Sequence, residues 1–493
     1  MKNELLSLEQ NEVWRLVPCP KGVRPLSAKW VFRLKEDEFG QPVRYKARLV
    51  VKGFLQKAGV DYEETYAPVA RLATIRVVLA VGVHKQFYFH QMDVKTAFLH
   101  GDLKEQIFMK IPDGVTADEG QVCLLRKSLY GLKQAPRCWN TKFNDQIMQM
   151  GFKRSKHDYC LYSKISKSKE DEIYLILYVD DLLIAGRKLQ SILKLKKELS
   201  GCFEMTDCGE IRHFLGMKIH YDRSAGFLTF SQEVAAERIL KRFQMSDCNP
   251  TRTPMEKALS LEREGTGTKE PYRELLGSLM YTMLCVRPDI CYSIGYLGRF
   301  QQDPKTTHWQ ALKRVVRFIQ GTKSTKLVYK RDPSSKLLIG YADADWATDK
   351  EDRKSVSGFV FQVYGCTIGW SSKKQTTVAT SSSEAEYVAL SAAVAEAVWL
   401  KGILQDLGER NDPTTIYEDN RGCIFMARNI ENKRTKHIDV KHHFIRDHVE
   451  SGNIAVEAIG TIDQLADIFT KALDFNRFRK LKISLGLSDR EEV

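Results

Sequence analysis

Ile173-Tyr174-Leu175-Ile176-Leu177-Tyr178-Val179-Asp180-Asp181-Leu182-Leu183-Ile184-Ala185 is two apolar runs interrupted by a pair of acids. Short apolar runs bounded by a turn signal read as buried strands, and turns favour Asp. The pair is therefore placed at the tip of a buried hairpin. Two adjacent carboxylates there repel each other and are costly without a cation. Taken alone, the pair also suits an ordinary solvent-facing turn, so its meaning depends on the rest of the chain.

Working outward, Tyr88 to Val94 reads as a buried strand ending on a third acid, Asp93. Taken singly, Asp93 could equally cap a helix. Before it, residues 28 to 55 alternate charged and apolar positions on either side of a Glu38-Phe39-Gly40-Gln41-Pro42 break, a hairpin signal. Helical spacing covers 69 to 85 and 135 to 150, and strands are expected on either side of 163 to 172. Phosphoryl transfer asks a protein mainly to position reactants and neutralise charge, commonly with two magnesium ions on carboxylates. Magnesium prefers oxygen ligands, so aspartates at strand ends facing one point suit it.

Composition agrees with a large intracellular protein. At 493 residues and 43% apolar content the chain is too long for one domain and can build several cores. Its 76 Lys and Arg against 62 Asp and Glu give a net charge of +14, which favours a polyanionic partner. Eleven scattered cysteines without a Cys-x-x-Cys pair argue against a disulfide framework or zinc ribbon. The charged stretch from Met1 to Trp14 lacks the apolar core of a signal peptide. The apolar stretches 73 to 83 and 173 to 185 are too short to span a bilayer. We therefore expect a soluble protein with no membrane partner.

Five blocks then stand in a telling order: Lys46-Ala47-Arg48-Leu49-Val50-Val51-Lys52-Gly53-Phe54, Tyr66-Ala67-Pro68-Val69, Asp93-Val94-Lys95-Thr96-Ala97-Phe98-Leu99-His100-Gly101, Leu129-Tyr130-Gly131-Leu132-Lys133-Gln134-Ala135-Pro136-Arg137 and Tyr178-Val179-Asp180-Asp181. In that order they resemble the reverse transcriptases of Ty1/copia-type retrotransposons, from about Glu9 to the chain end. The resemblance implies an α+β right-hand polymerase of fingers, palm and thumb. In it Asp93, Asp180 and Asp181 would hold two metals at the primer 3′-hydroxyl. Lys46 and Arg48, two apart and so on one face of a strand, would meet the incoming triphosphate. Phe98 would lie under the sugar, Tyr130 and Gly131 would line the nucleotide pocket, and Leu215-Gly216 would grip the primer end. Lys46 and Arg48 also suit a solvated basic face, and Phe98 a core position.

The polar stretch 249 to 269 reads as a linker, followed by helices over 272 to 284 and 307 to 320. After Pro333 the pattern becomes strands over 336 to 342, 358 to 364 and 367 to 371, a long helix over 383 to 407, a strand over 414 to 418, then helix, strand and helix. Asp343 follows the first of these strands, Glu386 lies one turn into the long helix, Asp419 ends the 414 to 418 strand, and Asp467 begins the last helix. Such positions can converge on one sheet edge and suit two metals. Asp345 and Glu384 are near competitors; Ser383 with Glu386 also reads as a capping box. Strand order and acids together resemble the α/β ribonuclease H fold, whose four carboxylates cut the RNA of an RNA–DNA hybrid; by position these are Asp343, Glu386, Asp419 and Asp467. His437, His442 and His443 lack a cysteine pair in range and read as part of a basic helix from Lys433 to His448, not as a zinc site.

The reading is then fingers and palm over 9–248, a linker and thumb or connection over 249–334, a ribonuclease H-like domain over 335–474 and a basic-then-acidic tail over 475–493. The implied activity is RNA-directed DNA synthesis with hybrid ribonuclease activity. Its partners would be an RNA template, a DNA primer, the RNA–DNA hybrid and deoxynucleoside triphosphates. Each site would use two Mg2+, with Mn2+ as the alternative. The setting would be a cytoplasmic retrotransposon particle or the nucleus. A catalytically inactive, transposon-derived nucleic-acid-binding protein is the competing reading; a DNA-templated polymerase sits poorly with the second acid cluster. Oligomeric state is not legible.

Overall fold

The computed structural model describes residues 1–36, 42–257, 259–410, 412–428 and 439–489. Its contacts divide the chain into two compact units, one of residues 1–71 and 89–210, the other of residues 72–88 and 211–493.

The first unit is organised by a six-stranded sheet in the order Met205–Glu210, Tyr88–Val94, Asp181–Gly186, Glu172–Tyr178, Leu161–Ile165, Lys153–Arg154. The Glu172–Tyr178 and Asp181–Gly186 strands are almost wholly buried, as continuous apolar runs must be. Helix Leu189–Cys202 packs on Asp181–Gly186 and Met205–Glu210 and buries Ile192, Leu195 and Leu199, spaced to share one face. The expected basic hairpin forms from Ala28–Glu36 and Pro42–Val51; its turn lies outside the described residues. Alternation sorts its side chains: Trp30 and Leu49, Phe32 and Ala47, Leu34 and Tyr45 pair on one face, Val31 and Arg48, Arg33 and Lys46 on the other. A third sheet, of Trp14–Pro18, Gln121–Lys127 and Asp102–Met109, completes the unit.

The second unit includes a helix from the middle of the expected polymerase stretch. Leu72–His84 is buried from Ala73 to Val83 and packs on the strands Lys326–Lys330, Val356–Val363 and Cys366–Lys374. A helix apolar on every side must be enclosed, and sequence does not say by what. Its one cation explains the attachment. Arg76 donates to the carbonyls of Ile368 (2.7 Å), Leu284 (2.8 Å) and Cys285 (3.1 Å), and its guanidinium lies 4.0 Å from the Trp370 ring centre. The compact units therefore cut across the 9–248 span.

Two five-stranded sheets follow. One is antiparallel, in the order His213–Phe214, Met217–Asp222, Phe227–Ser231, Lys326–Lys330, Leu487–Ser488. The other runs Cys366–Lys374, Val356–Val363, Leu338–Ala344, Thr414–Glu418, Ile454–Ala458; the first three strands are antiparallel and the last two lie parallel in register with Leu338–Ala344. That order and sense is the ribonuclease H-like sheet. Helix Ser382–Asp406 packs across it; by length and composition it could cross a bilayer, but its apolar surface is spent on this core.

Three local expectations are corrected. Residues 475–489 are not a tail: Phe475–Ser484 is a helix that buries Phe478 and Leu481, and Leu487–Ser488 is a sheet strand, because the basic residues leave an apolar stripe to cover. Asp467 lies in the 3-10 turn Leu465–Phe469 and does not open the last helix. The long helix is capped by Ser381, which accepts from the Glu384 amide, not by a Ser383–Glu386 box. Of the expected basic helix, Asp439–Glu450 is described and carries His443; residues 433–438, with His437, and the side chain of His442 lie outside the described residues.

Candidate active sites

The strand order brings Asp93 and the Asp180-Asp181 pair together on neighbouring strands. Asp181 opens the strand Asp181–Gly186 beside Tyr88–Val94, and the Val94 amide donates to the Asp180 carbonyl at 2.8 Å. Gln91, on the Asp93 strand, donates from Nε2 to Asp181 Oδ1 at 3.1 Å. All three aspartates are half-buried. The hairpin pairs Tyr178 with Asp181 and leaves Val179 and Asp180 as its loop. Val179 there adopts φ 60°, a left-handed conformation that a β-branched residue enters at a cost of ~1–3 kcal/mol.

The strain has a visible restraint that sequence reasoning missed. Trp139, buried on helix Ala135–Gln149, donates from Nε1 to the Val179 carbonyl at 2.6 Å. Its ring packs on Phe143 and Phe203. No local pattern announces such a role for one tryptophan on an amphipathic helix. Trp139→Phe keeps the packing and removes the donor. Primer extension in single turnover is expected to fall ~10- to 100-fold, since small misplacements of catalytic groups cost this much. Unchanged extension would show that the turn holds its geometry unaided.

The residues assigned to the nucleotide pocket also meet. Arg48 lies 5.0 Å from the Tyr130 ring centre, and Phe98 packs edge-on against Tyr130 at 4.9 Å. Burial raises the Tyr130 pKa, and Arg48 opposes that. Lys46 shares the Arg48 face of the hairpin. Arg48 hydrogen-bonds Tyr130 through its side chain, while its Nε is buried without a hydrogen-bond partner among the described residues. Gly131, at φ 94°, has no room for a side chain: a Cβ would stand 2.1 Å from the Val51 carbonyl oxygen. Leu215 and Gly216 form a left-handed turn at φ 48° and 68°, in the second unit. Tyr281 holds it by donating to the Leu215 carbonyl at 2.7 Å.

The second cluster is tighter. Asp343, Glu386 and Asp419 each present a ligand atom, all within 4.8 Å of one another; among the described residues they are the one such group, and Asp93, Asp180 and Asp181 do not converge as closely. Asp343 and Glu386 are buried and Asp419 is half-buried. Glu386 Oε2 accepts from the Ala344 amide at 2.6 Å. Its competitors are occupied elsewhere. Glu384 accepts from the Thr380 amide at the helix start, while Asp345 accepts from the Val356 amide and the Thr348 hydroxyl.

Electrostatics show what the cluster lacks. Burial, then the neighbouring Glu418, Asp343 and Asp419 carboxylates, push the Glu386 pKa up to about 11. Burial raises Asp343 to about 8, with Lys471 opposing and Asp467 adding to the rise. Glu418, fully buried and raised by burial, is a fifth acid that sequence reading passed over, although it adjoins Asp419 in the chain. Such a cluster fits divalent cations, which remove the repulsion. Asp467, expected among the ligands, is outside the group whose ligand atoms all lie within 4.8 Å, but its side chain hydrogen-bonds Asp343, and it is paired with Lys471 and Arg477.

The raised values set a pH dependence. A carboxyl with a raised folded pKa stabilises the fold below its unfolded pKa and loses that contribution as pH rises through the folded value. Metal-free protein should therefore lose stability from about pH 4.5 through pH 8 and beyond as Asp343 and then Glu386 ionise. Glu386→Gln should raise the metal-free melting temperature by ~1–3 °C at pH 8, because the cost of keeping a carboxyl protonated there, ~1–2 kcal/mol, disappears. Added Mg2+ should stabilise wild type more at pH 8 than at pH 6 in calorimetry. A flat pH profile for the metal-free protein would contradict the arrangement.

A sheet carrying aspartates on adjacent strands, followed by a ribonuclease H-like sheet with a converging acid triad, defines a polymerase-type fold joined to a ribonuclease H-like fold. The model of the family "Reverse transcriptase (RNA-dependent DNA polymerase)" matches residues 11–257. The chain belongs to that family, in its Ty1/copia-type retrotransposon branch. It is 43% identical to the retrovirus-related Pol polyprotein from transposon TNT 1-94 of Nicotiana tabacum over 99% of this chain and 37% of that protein. It is 37% identical to that of transposon RE1 of Arabidopsis thaliana over 99% and 33%. With the putative transposon Ty5-1 protein of Saccharomyces cerevisiae it shares 33% identity over 62% of this chain and the full length of that protein. The chain spans about a third of the two Pol polyproteins it matches.

Proposed function

We propose that the chain is an RNA-directed DNA polymerase with ribonuclease H activity, copying retrotransposon RNA into DNA and removing the RNA of the resulting hybrid. The observation that carries this reading is the coexistence in one reverse transcriptase-family chain of Asp93 beside Asp180-Asp181 and the buried triad of Asp343, Glu386 and Asp419. Its partners are an RNA template, a DNA primer, the hybrid and deoxynucleoside triphosphates; the net charge of +14 suits the polyanions.

Divalent cations, Mg2+ or Mn2+ at two per site, would supply Lewis-acid activation and charge neutralisation when bound to these acids. The chain's own groups do the rest. Lys46 and Arg48 bind the triphosphate, and Phe98 with Tyr130 forms the wall against the sugar. Leu215-Gly216 holds the primer end. In the nuclease half Asp343, Glu386 and Asp419 orient the hybrid backbone at the sheet edge. The setting proposed is soluble and intracellular, in a cytoplasmic retrotransposon particle or the nucleus; the likeness to retrotransposon Pol polyproteins supports the intracellular part.

The test is primer extension on an RNA template and cleavage of an end-labelled RNA–DNA hybrid, both with Mg2+. Both activities are expected. Their joint absence, with nucleic-acid binding retained, would leave the inactive transposon-derived binding protein.

A further inference from the structure

The nucleotide pocket holds an acid that its proposed chemistry does not use. Glu4 lies in the first turn of helix Lys2–Gln10, which packs on the hairpin strand Pro42–Val51. Leu8 of that helix is buried in one core cluster with Leu49 and Val51, and Leu5 and Phe98 pack against the same cluster. An acid in a first turn is ordinarily a solvated partner of the helix dipole. Glu4 is instead only 9% exposed, and its Oε1 is buried without a hydrogen-bond partner among the described residues. The carboxylate accepts from the Leu49 amide, which stands it one peptide from Arg48. Burial raises its pKa, while that hydrogen bond, then the Arg48 and Lys46 charges, oppose the rise. Glu4 also bears on Tyr130, whose ring centre lies 5.0 Å from the Arg48 guanidinium.

We propose that Glu4 is a counter-charge of the nucleotide pocket, its carboxylate partly offsetting the Lys46 and Arg48 cations so that they hold triphosphate less tightly and let pyrophosphate leave. The inference rests on the polymerase reading above. Triphosphate and pyrophosphate present the same kind of oxygens to the same cations. A pocket that meets both with its full positive charge gains affinity without speeding the chemistry, and it retains its product. A buried carboxylate close to those cations lowers the local potential, and the poorly solvated setting makes this larger than it would be in water. Capping the Leu49 amide needs only an acceptor, which a glutamine would supply without the cost of a buried charge. The charge is therefore the part of Glu4 that packing does not explain.

The test is single-turnover incorporation of one deoxynucleotide on a primed RNA template by the full chain, as wild type, Glu4→Gln and Glu4→Met. Glutamine keeps the volume and the acceptor for the Leu49 amide and removes the charge; methionine covers the case in which glutamine disturbs the helix. In both, the apparent Kd for the deoxynucleoside triphosphate is expected to fall ~3- to 10-fold, with the maximal rate within ~2-fold of wild type. The concentration of inorganic pyrophosphate that halves incorporation is expected to fall by the same factor. The variant whose melting temperature lies nearer wild type decides. An unchanged Kd there would reduce Glu4 to a cap on the strand edge, and a raised one would make it a positioning residue for Arg48; either overturns the proposal. A wild type that incorporates nothing would remove the polymerase reading and this inference with it.

Discussion

Asp180→Asn is expected to lower primer extension on an RNA template by on the order of 10³-fold or more, while hybrid cleavage continues at the wild-type rate. The substitution preserves volume and leaves the hairpin free to pair Tyr178 with Asp181 as before. What it removes is one charge from a set that works only as a set. Asp180 is on the loop between two buried strands, Asp181 starts the second of them, and Asp93 lies on the neighbouring strand. Loss of one ligand weakens cation binding and misplaces the reacting groups together, which is why the expected effect is large. Cleavage should persist because Asp343, Glu386 and Asp419 belong to the other compact unit. Wild-type extension by Asp180→Asn would mean that the Tyr-Val-Asp-Asp turn is not the polymerase site.

The mirror result is expected for Asp419→Asn: hybrid cleavage reduced by on the order of 10³-fold, primer extension intact. Asp419 directly follows the strand Thr414–Glu418 and is the most exposed of the three converging acids, so its replacement disturbs the core least. It also leaves Glu418 in place, whose carboxylate accepts from the Asn420 amide at 3.1 Å and so fixes the start of the next helix. Melting temperature within ~1–2 °C of wild type would separate lost chemistry from lost fold, a change of about 1 kcal/mol. Should Asp419→Asn abolish extension and spare cleavage, the division of labour assigned to the two acid clusters would be wrong.

The elements that carry the acids were legible because their signals are local. Tyr88–Val94 and the hairpin around Asp180-Asp181 are short apolar runs that end at turn residues, and both form as read. The same holds for Thr414–Glu418, which forms over the residues expected. The nucleotide-pocket residues came from family resemblance, and the structure gathers Arg48, Phe98 and Tyr130 around one ring. Glu386 is preferred to its near competitor Glu384 by position in the family resemblance. The structure gives a physical reason: Glu384 is spent on the helix cap.

Other features had no local signal. Leu72–His84 is apolar all round, so periodicity states that it is buried and leaves its partners open; Arg76 and three carbonyls from distant elements decide that it packs with the second unit. Residues 475–489 look polar because basic residues dominate the count, yet a narrow apolar stripe is enough to dock them. Asp467 shows the limit most clearly. Its neighbourhood in sequence suggests a helix start, while a 3-10 turn presents it beside Asp343 and pairs it with Lys471 and Arg477.

Sequence alone was enough for the two acid-bearing sheets, the order of their strands along the chain and the family, because alternation, turn chemistry and motif order are properties of neighbouring residues. Tertiary structure decided which acids converge, which are neutralised by the chain's own cations and to which unit the 72–84 helix belongs. Those outcomes depend on burial and on charges brought close by residues far apart in the chain, and no local pattern encodes them.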